Sequence, residues 1–158
     1  MMCGLLTACS SADGHYAFDL RSEDMIGTWV ATGNLETSLE LASDGTFSAS
    51  SWPQNVMCSG KEAEFTSELA GIPAVDFTGR WDFYKGSEGL SLALVRLNPA
   101  TDICPDGTPQ GYLWESTDNR VSICIPLGTV DADNFQFDRT LVLQKEPNTD
   151  QDDANPCV

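Results

Sequence analysis

The sequence is poor in positive charge and almost without histidine. Its 158 residues hold 8 Lys and Arg against 24 Asp and Glu, a formal net charge of -16, and a single histidine, His15. So acidic a chain repels a phosphate backbone, which excludes nucleic acid as a partner. One histidine excludes a histidine-built metal site and leaves most triad chemistry without its base. No run reaches the roughly 18 apolar residues that a membrane-spanning helix needs. Also missing are a Gly-x-Ser-x-Gly elbow, a phosphate-binding Gly-rich loop, a His-Glu-x-x-His pair and a Cys-His pairing. These absences make the chain a non-enzyme in expectation, with no metal and no cofactor. A pair of carboxylates converging in a cleft, as in a cell-wall hydrolase, is the one catalytic arrangement that needs no such motif.

What is present is globular. Hydrophobic residues make up 41% and charged residues 20%, with 13 Gly and 8 Pro. A mass of 17.1 kDa suits one domain.

The N-terminus carries Leu6-Thr7-Ala8-Cys9, which resembles a bacterial lipobox. In lipoproteins that pattern precedes cleavage, and the cysteine becomes the lipidated first residue. The resemblance implies that Cys9 is lipidated and that the protein is exported and anchored to the bacterial membrane or envelope. Residues 1–8 are too short and uncharged for a complete leader. The start therefore lies upstream, or the chain is a fragment. With Cys3 in the leader and Cys9 lipidated, Cys58, Cys104, Cys124 and Cys157 remain. An even set in an exported domain points to two disulfides. The rival, a zinc site, wants cysteines about two to four residues apart, and none are so spaced. Of the three connectivities, the one expected here joins Cys104 to Cys124, closing a loop of about 20 residues.

Residues 9–24 are small and polar and read as a tether with His15 solvated; fifteen flexible residues span about 20–23 Å. From residue 25 the apolar pattern alternates. It predicts eight strands at 26–32, 38–41, 46–50, 79–84, 90–95, 112–115, 120–125 and 135–145. Asp44-Gly45 between alternating runs marks a hairpin. The fold class is all-β: an eight-stranded antiparallel up-and-down barrel with one short helix, at 61–70, in a long loop, braced by disulfides. The barrel occupies 25–146, and 147–158 is an acidic tail pinned by Cys157. Alternation assigns Trp29, Leu39, Leu41, Phe47, Ala49, Trp81, Phe83, Leu90, Leu92, Leu94, Trp114, Val121, Ile123, Phe137, Leu141 and Leu143 to the inner face.

Met25-Ile26-Gly27-Thr28-Trp29 resembles the Gly-x-Trp signature of lipocalin-like domains. The hairpin over 39–47, Gly79-Arg80-Trp81 and the closing run at 139–145 resemble small bacterial lipocalin-like lipoproteins. The resemblance spans about 115 residues. It implies that Trp29 packs at the closed end beneath a late basic residue, for which Arg139 is in phase. It also implies a small apolar ligand in the barrel, in a cavity lined by Phe83, Leu94 and Trp114. The alternative is an envelope structural or protein-interaction module, with a filled barrel and a partner contacted by the loops around Trp52 and Phe65. Trp52, Phe65 and Phe77 lie in the long connection, as a hydrophobic mouth or as a lid. Asp150, Asp152, Asp153 and Asn148 echo a calcium loop but lack its Gly and distal Glu, so they read as a solvated tail.

Overall fold

The computed structural model describes residues 15–17, 19–54, 56, 63–86, 93–100, 110–116, 119–128, 136–146 and 157. The lipobox with Cys9, the cysteines Cys58 and Cys104, Leu90, Leu92, and the tail acids Asp150, Asp152 and Asp153 lie outside them.

Nine strands form one antiparallel sheet: β1 (His15–Tyr16), β2 (Gly27–Ala31), β3 (Ser38–Leu41), β4 (Thr46–Pro53), β5 (Ala74–Lys85), β6 (Ala93–Pro99), β7 (Gln110–Glu115), β8 (Val121–Pro126) and β9 (Thr140–Lys145). Each strand from β2 to β8 pairs with the next, and β9 returns to β2, with Trp29 opposite Lys145 and Ala31 opposite Leu143. The result is the expected closed eight-stranded up-and-down barrel, which leaves no long free edge. β1 is additional. β6 pairs with β7 only at Gln110, Gly111 and Tyr112, and β1 takes the same edge at Trp114 and Glu115. The 9–24 segment, read as a tether, is therefore paired to the barrel from His15 onward.

One rim carries the tight turns 42–45 and 116–120 and receives the end of β5. The other carries the long connections 54–73, 100–109 and 127–139. Asp44 builds the first tight turn by accepting from the Thr46 N–H (2.9 Å) and hydroxyl (2.6 Å). The expected helix at 61–70 is instead a 3-10 segment, Thr66–Gly71, flanked by 3-10 turns at Ser22–Met25 and Phe137–Arg139 elsewhere in the chain. So short a segment, closing on Gly71 and Pro73, gains too few hydrogen bonds to repay nucleating an α-helix.

The inner face collects Trp29, Leu39, Leu41, Phe47, Ala49, Trp81, Ile123, Leu141 and Leu143 as expected, all buried. On β6 the phase is the opposite of the expected one. Ala93, Val95 and Leu97 join the core, Val95 facing Phe83 and Leu97 facing Trp81 across β5. Leu94, though buried, is on the outer face. Arg96, exposed and in phase with Leu94, marks that phase as the outer one, a signal that the expected facing of 90–95 stopped short of. Trp114 is likewise outside, with Leu113 inside, because β7 is covered on both faces.

The outer cover is a second apolar cluster of Cys124, Val142 and Cys157, with Tyr112 and Trp114 against it. Cys124 is bonded to Cys157, 33 residues away, which overturns the Cys104–Cys124 pairing. Beside it, Ser122 Oγ and Gln144 Oε1 are buried on neighbouring strands, with no hydrogen-bond partner among the described residues.

Candidate functional site

The interior is the first place to look in a barrel of this type. It is filled. Trp29, Leu39, Leu41, Val95, Leu113, Ile123 and Leu143 are each at most 1% exposed, so no water-sized space adjoins them. Gly79 and Gly111 show how tight the fit is. A methyl on Gly111 would overlap Ile123 Cγ2, and one on Gly79 would lie 2.7 Å from Phe47 Cε1. Phe77 is edge-on to Phe47 (5.5 Å between centroids) and to Trp52 (5.9 Å), filling the middle of the barrel.

Both ends are shut. At the tight-turn rim, Ala17, Leu20 and Met25 pack into the core as the chain passes from β7 to the start of β2. Trp81 Nε1 donates to the Ala42 carbonyl (3.0 Å) and Trp29 Nε1 to the Met25 carbonyl (2.9 Å), so each indole is satisfied at its polar tip. The cation over Trp29 is Lys145, 5.8 Å from the ring centroid, and its Nζ also donates to the Asp24 carbonyl (2.7 Å). This corrects the expected role of Arg139. In the closed ring Lys145 is the direct cross-strand neighbour of Trp29, whereas Arg139 sits at the far rim, 4.6 Å over the Phe65 ring. Gly27 explains the signature spacing. A Cβ there would come within 2.9 Å of Lys145 Cε, and its φ of +134° is one that side chains avoid.

At the long-loop rim, the described residues of the 54–73 connection fold inward as a lid. Val56, Ala63 and Leu69 are buried in the main core, and Phe65 is half-buried under Arg139. Trp52 is not part of an exposed mouth: it is fully buried in β4, and its Nε1 donates to the Ser38 carbonyl (2.9 Å). A β-bulge places it there. The register slips between Ala49 and Trp52, and Ser51 takes a φ of +52°. Its N–H donates to Asp76 Oδ1 (2.8 Å) and its carbonyl accepts the Thr37 hydroxyl (2.8 Å). The extra residue turns Trp52 to the same side as Ala49.

Of the sequence-predicted contact residues, Trp52 and Phe77 are therefore core, Phe65 belongs to the lid, and Phe83 packs partly buried against the core. Leu94 and Trp114 lie on the outer face, so the predicted three-residue cavity lining does not converge. Lys145, Ala17 and Leu69 were missed. A closed-ring pairing of first and last strands was the one signal that pointed to Lys145.

Electrostatics at the site are mild. Among the described residues the buried polar side chains are Thr37, Ser122, Thr140 and Gln144, none of them charged. Among the described residues no group of three or more His, Cys, Asp or Glu gathers as a metal site, and no helix is long and apolar enough to cross a membrane. Two exposed acids are held below their ordinary pKa. For Asp44 the cause is the Thr46 hydroxyl and then its N–H. For Glu68 it is the N–H groups of Phe65 (3.0 Å) and Glu64 (2.7 Å), which its carboxylate accepts as it caps the lid's 3-10 segment.

These features define a closed, filled, lidded antiparallel barrel. Set beside known proteins, the chain matches no protein-family model, no curated protein and no solved structure.

Proposed function

We propose that the chain is an exported lipoprotein, anchored through lipid on Cys9, whose lipocalin-like barrel serves as an envelope structural or protein-interaction module. The close packing of the described interior side chains carries this reading: the work falls to the surface. The long-loop rim supplies a surface of definite character. Its described charges are Glu36, Glu64, Glu68, Asp76 and Asp138, with Arg139 opposing them, so a partner there has a basic face.

Two measurements test it. The intact mass of protein from its native membrane fraction should match a chain beginning at acylated Cys9, and an unprocessed N-terminus would overturn the anchor. Cross-linking in those membranes should capture a partner whose yield falls as salt rises. Loss of that partner on replacing 56–70 by a short Gly-Ser link is expected, and an unchanged partner would refute contact through the lid.

A second reading, a small apolar ligand held in the barrel, is favoured by one observation. Among the described residues, the 54–73 connection supplies Val56, Ala63 and Leu69 to the cover of the long-loop rim. An environment-sensitive naphthylamine probe decides between the two. Saturable binding that quenches tryptophan fluorescence would establish the ligand reading; its absence, with or without the lid, removes it.

A further inference from the structure

We infer that the tight-turn rim is the surface the barrel turns toward the lipid bilayer, and that the lidded rim is held facing the aqueous compartment. This rests on the proposed lipidation of Cys9 and deepens it.

The first observation is where the N-terminal segment joins the barrel. His15 pairs with Glu115 and Tyr16 with Trp114, and the Ala17 N–H donates to the Leu113 carbonyl (3.2 Å). β1 is therefore antiparallel to β7, and its N-terminal end points out past the end of β7 at the tight-turn rim. Ala17 is fully buried in the main core, which fixes the segment in place. Only residues 10–14 separate His15 from Cys9. Six chain intervals span at most about 20 Å. The lidded rim is a barrel length further off, beyond the reach of so short a leash.

The second observation is charge. Five of the eight basic residues belong to the tight-turn rim: Arg21, Lys85, Arg120, Lys145, and Arg80, which donates to the Asp44 carbonyl (3.4 Å). They face Asp19, Glu23, Asp24, Asp44, Asp82, Glu115 and Glu146 among the described residues. Five bases thus offset most of this rim's described acids, in a chain of net charge -16. The lidded rim, with five described acids against Arg139, is the more strongly repelled by anionic headgroups. Leash and field therefore favour the same orientation.

The test places an environment-sensitive dye at Ser43, in a tight turn, or at Asn34, in the connection between β2 and β3 at the opposite rim. The lipidated protein is bound to vesicles of three parts phosphatidylcholine to one part phosphatidylglycerol that carry a headgroup quencher. Quenching at Ser43 should exceed that at Asn34 several-fold. Ten Gly-Ser residues inserted between Ser11 and Ala12 should largely abolish the difference. Equal quenching at the two sites, or the greater quenching at Asn34, would overturn the orientation. Flotation separates this from the anchor itself. Native protein that fails to float refutes lipidation, while protein coupled at Cys9 to a synthetic diacyl maleimide still reports whether the leash orients the barrel.

Discussion

Lys145, Gly27 and Trp29 form a unit in which each residue depends on the others. The lysine stem crosses where Gly27 has no side chain, and its ammonium reaches both the Trp29 face and the Asp24 carbonyl. Lys145→Ala should cost about 1–2 kcal/mol in urea unfolding, the sum of a modest cation–π contact and one charge-assisted hydrogen bond. Gly27→Ala should cost about 1–3 kcal/mol, from strain at positive φ and from the clash. In the double variant the clash term vanishes and the strain remains, so a cycle should show positive coupling; strict additivity would mean that the two residues do not touch in solution. Acid stability belongs to the same scale. Asp44 and Glu68 have lowered pKa values in the folded state. Their contribution is complete above the ordinary values of 3.8 and 4.5 and is lost as pH falls through the lowered folded values. Glu68→Gln should therefore make stability less steeply pH-dependent below about pH 4.5, as read by denaturation midpoints across an acid series. An unchanged slope would show that the Glu68 cap does not persist in solution. Gly27 and Trp29 were legible in the sequence because the signature is local. Lys145 was not, since choosing it over Arg139 requires the register of two strands more than a hundred residues apart.

The strands show what alternation can and cannot carry. β2, β3, β8 and β9 have one clearly apolar phase, and their core residues could be read directly. β6 has Arg96 and Asn98 in the phase of Leu94, so Ala93, Val95 and Leu97 face in, opposite Phe83 and Trp81 on β5, and a reading that ended at Val95 missed the marker. β7 carries large aromatics outward because the Cys124–Cys157 cluster covers them. β4 breaks the period with a bulge, which no propensity marks in the run Ser50-Ser51-Trp52. That bulge is testable. Ser51→Gly should stabilise the protein by up to about 1 kcal/mol by relieving the positive φ, and Ser51→Val should destabilise it by about as much or more. Asp76→Ala should cost about 1 kcal/mol and alter the near-ultraviolet dichroism of Trp52. If Ser51→Gly destabilises instead, Ser51 does not hold a left-handed backbone. β1 has too few residues to show any period, and a hydrogen-exchange measurement is the check: the Ala17 amide should be protected to the level of β7 amides, whereas exchange at the free-chain rate would detach the segment.

For the whole molecule, the sequence already contained the all-β class, the strand count and most strand positions. The closure of both rims was hidden in segments without a period. The disulfide is the long-range tie that composition announced and pairing arithmetic could not place. Replacing Cys124 and Cys157 together with Ser should lower stability by about 3–4 kcal/mol, the loop-closure entropy of a 33-residue separation. A loss below 1 kcal/mol would mean that the tail stays docked without the bond. The ring itself has a consequence in time. β2 is among the first strands to emerge and its partner β9 is the last, so one edge of β2 stays bare until nearly the whole chain has been delivered. Until then the sheet is an open ribbon that can recruit a neighbouring chain. Whatever receives the nascent polypeptide must guard that edge, and a product truncated before Thr140 would keep it bare for good.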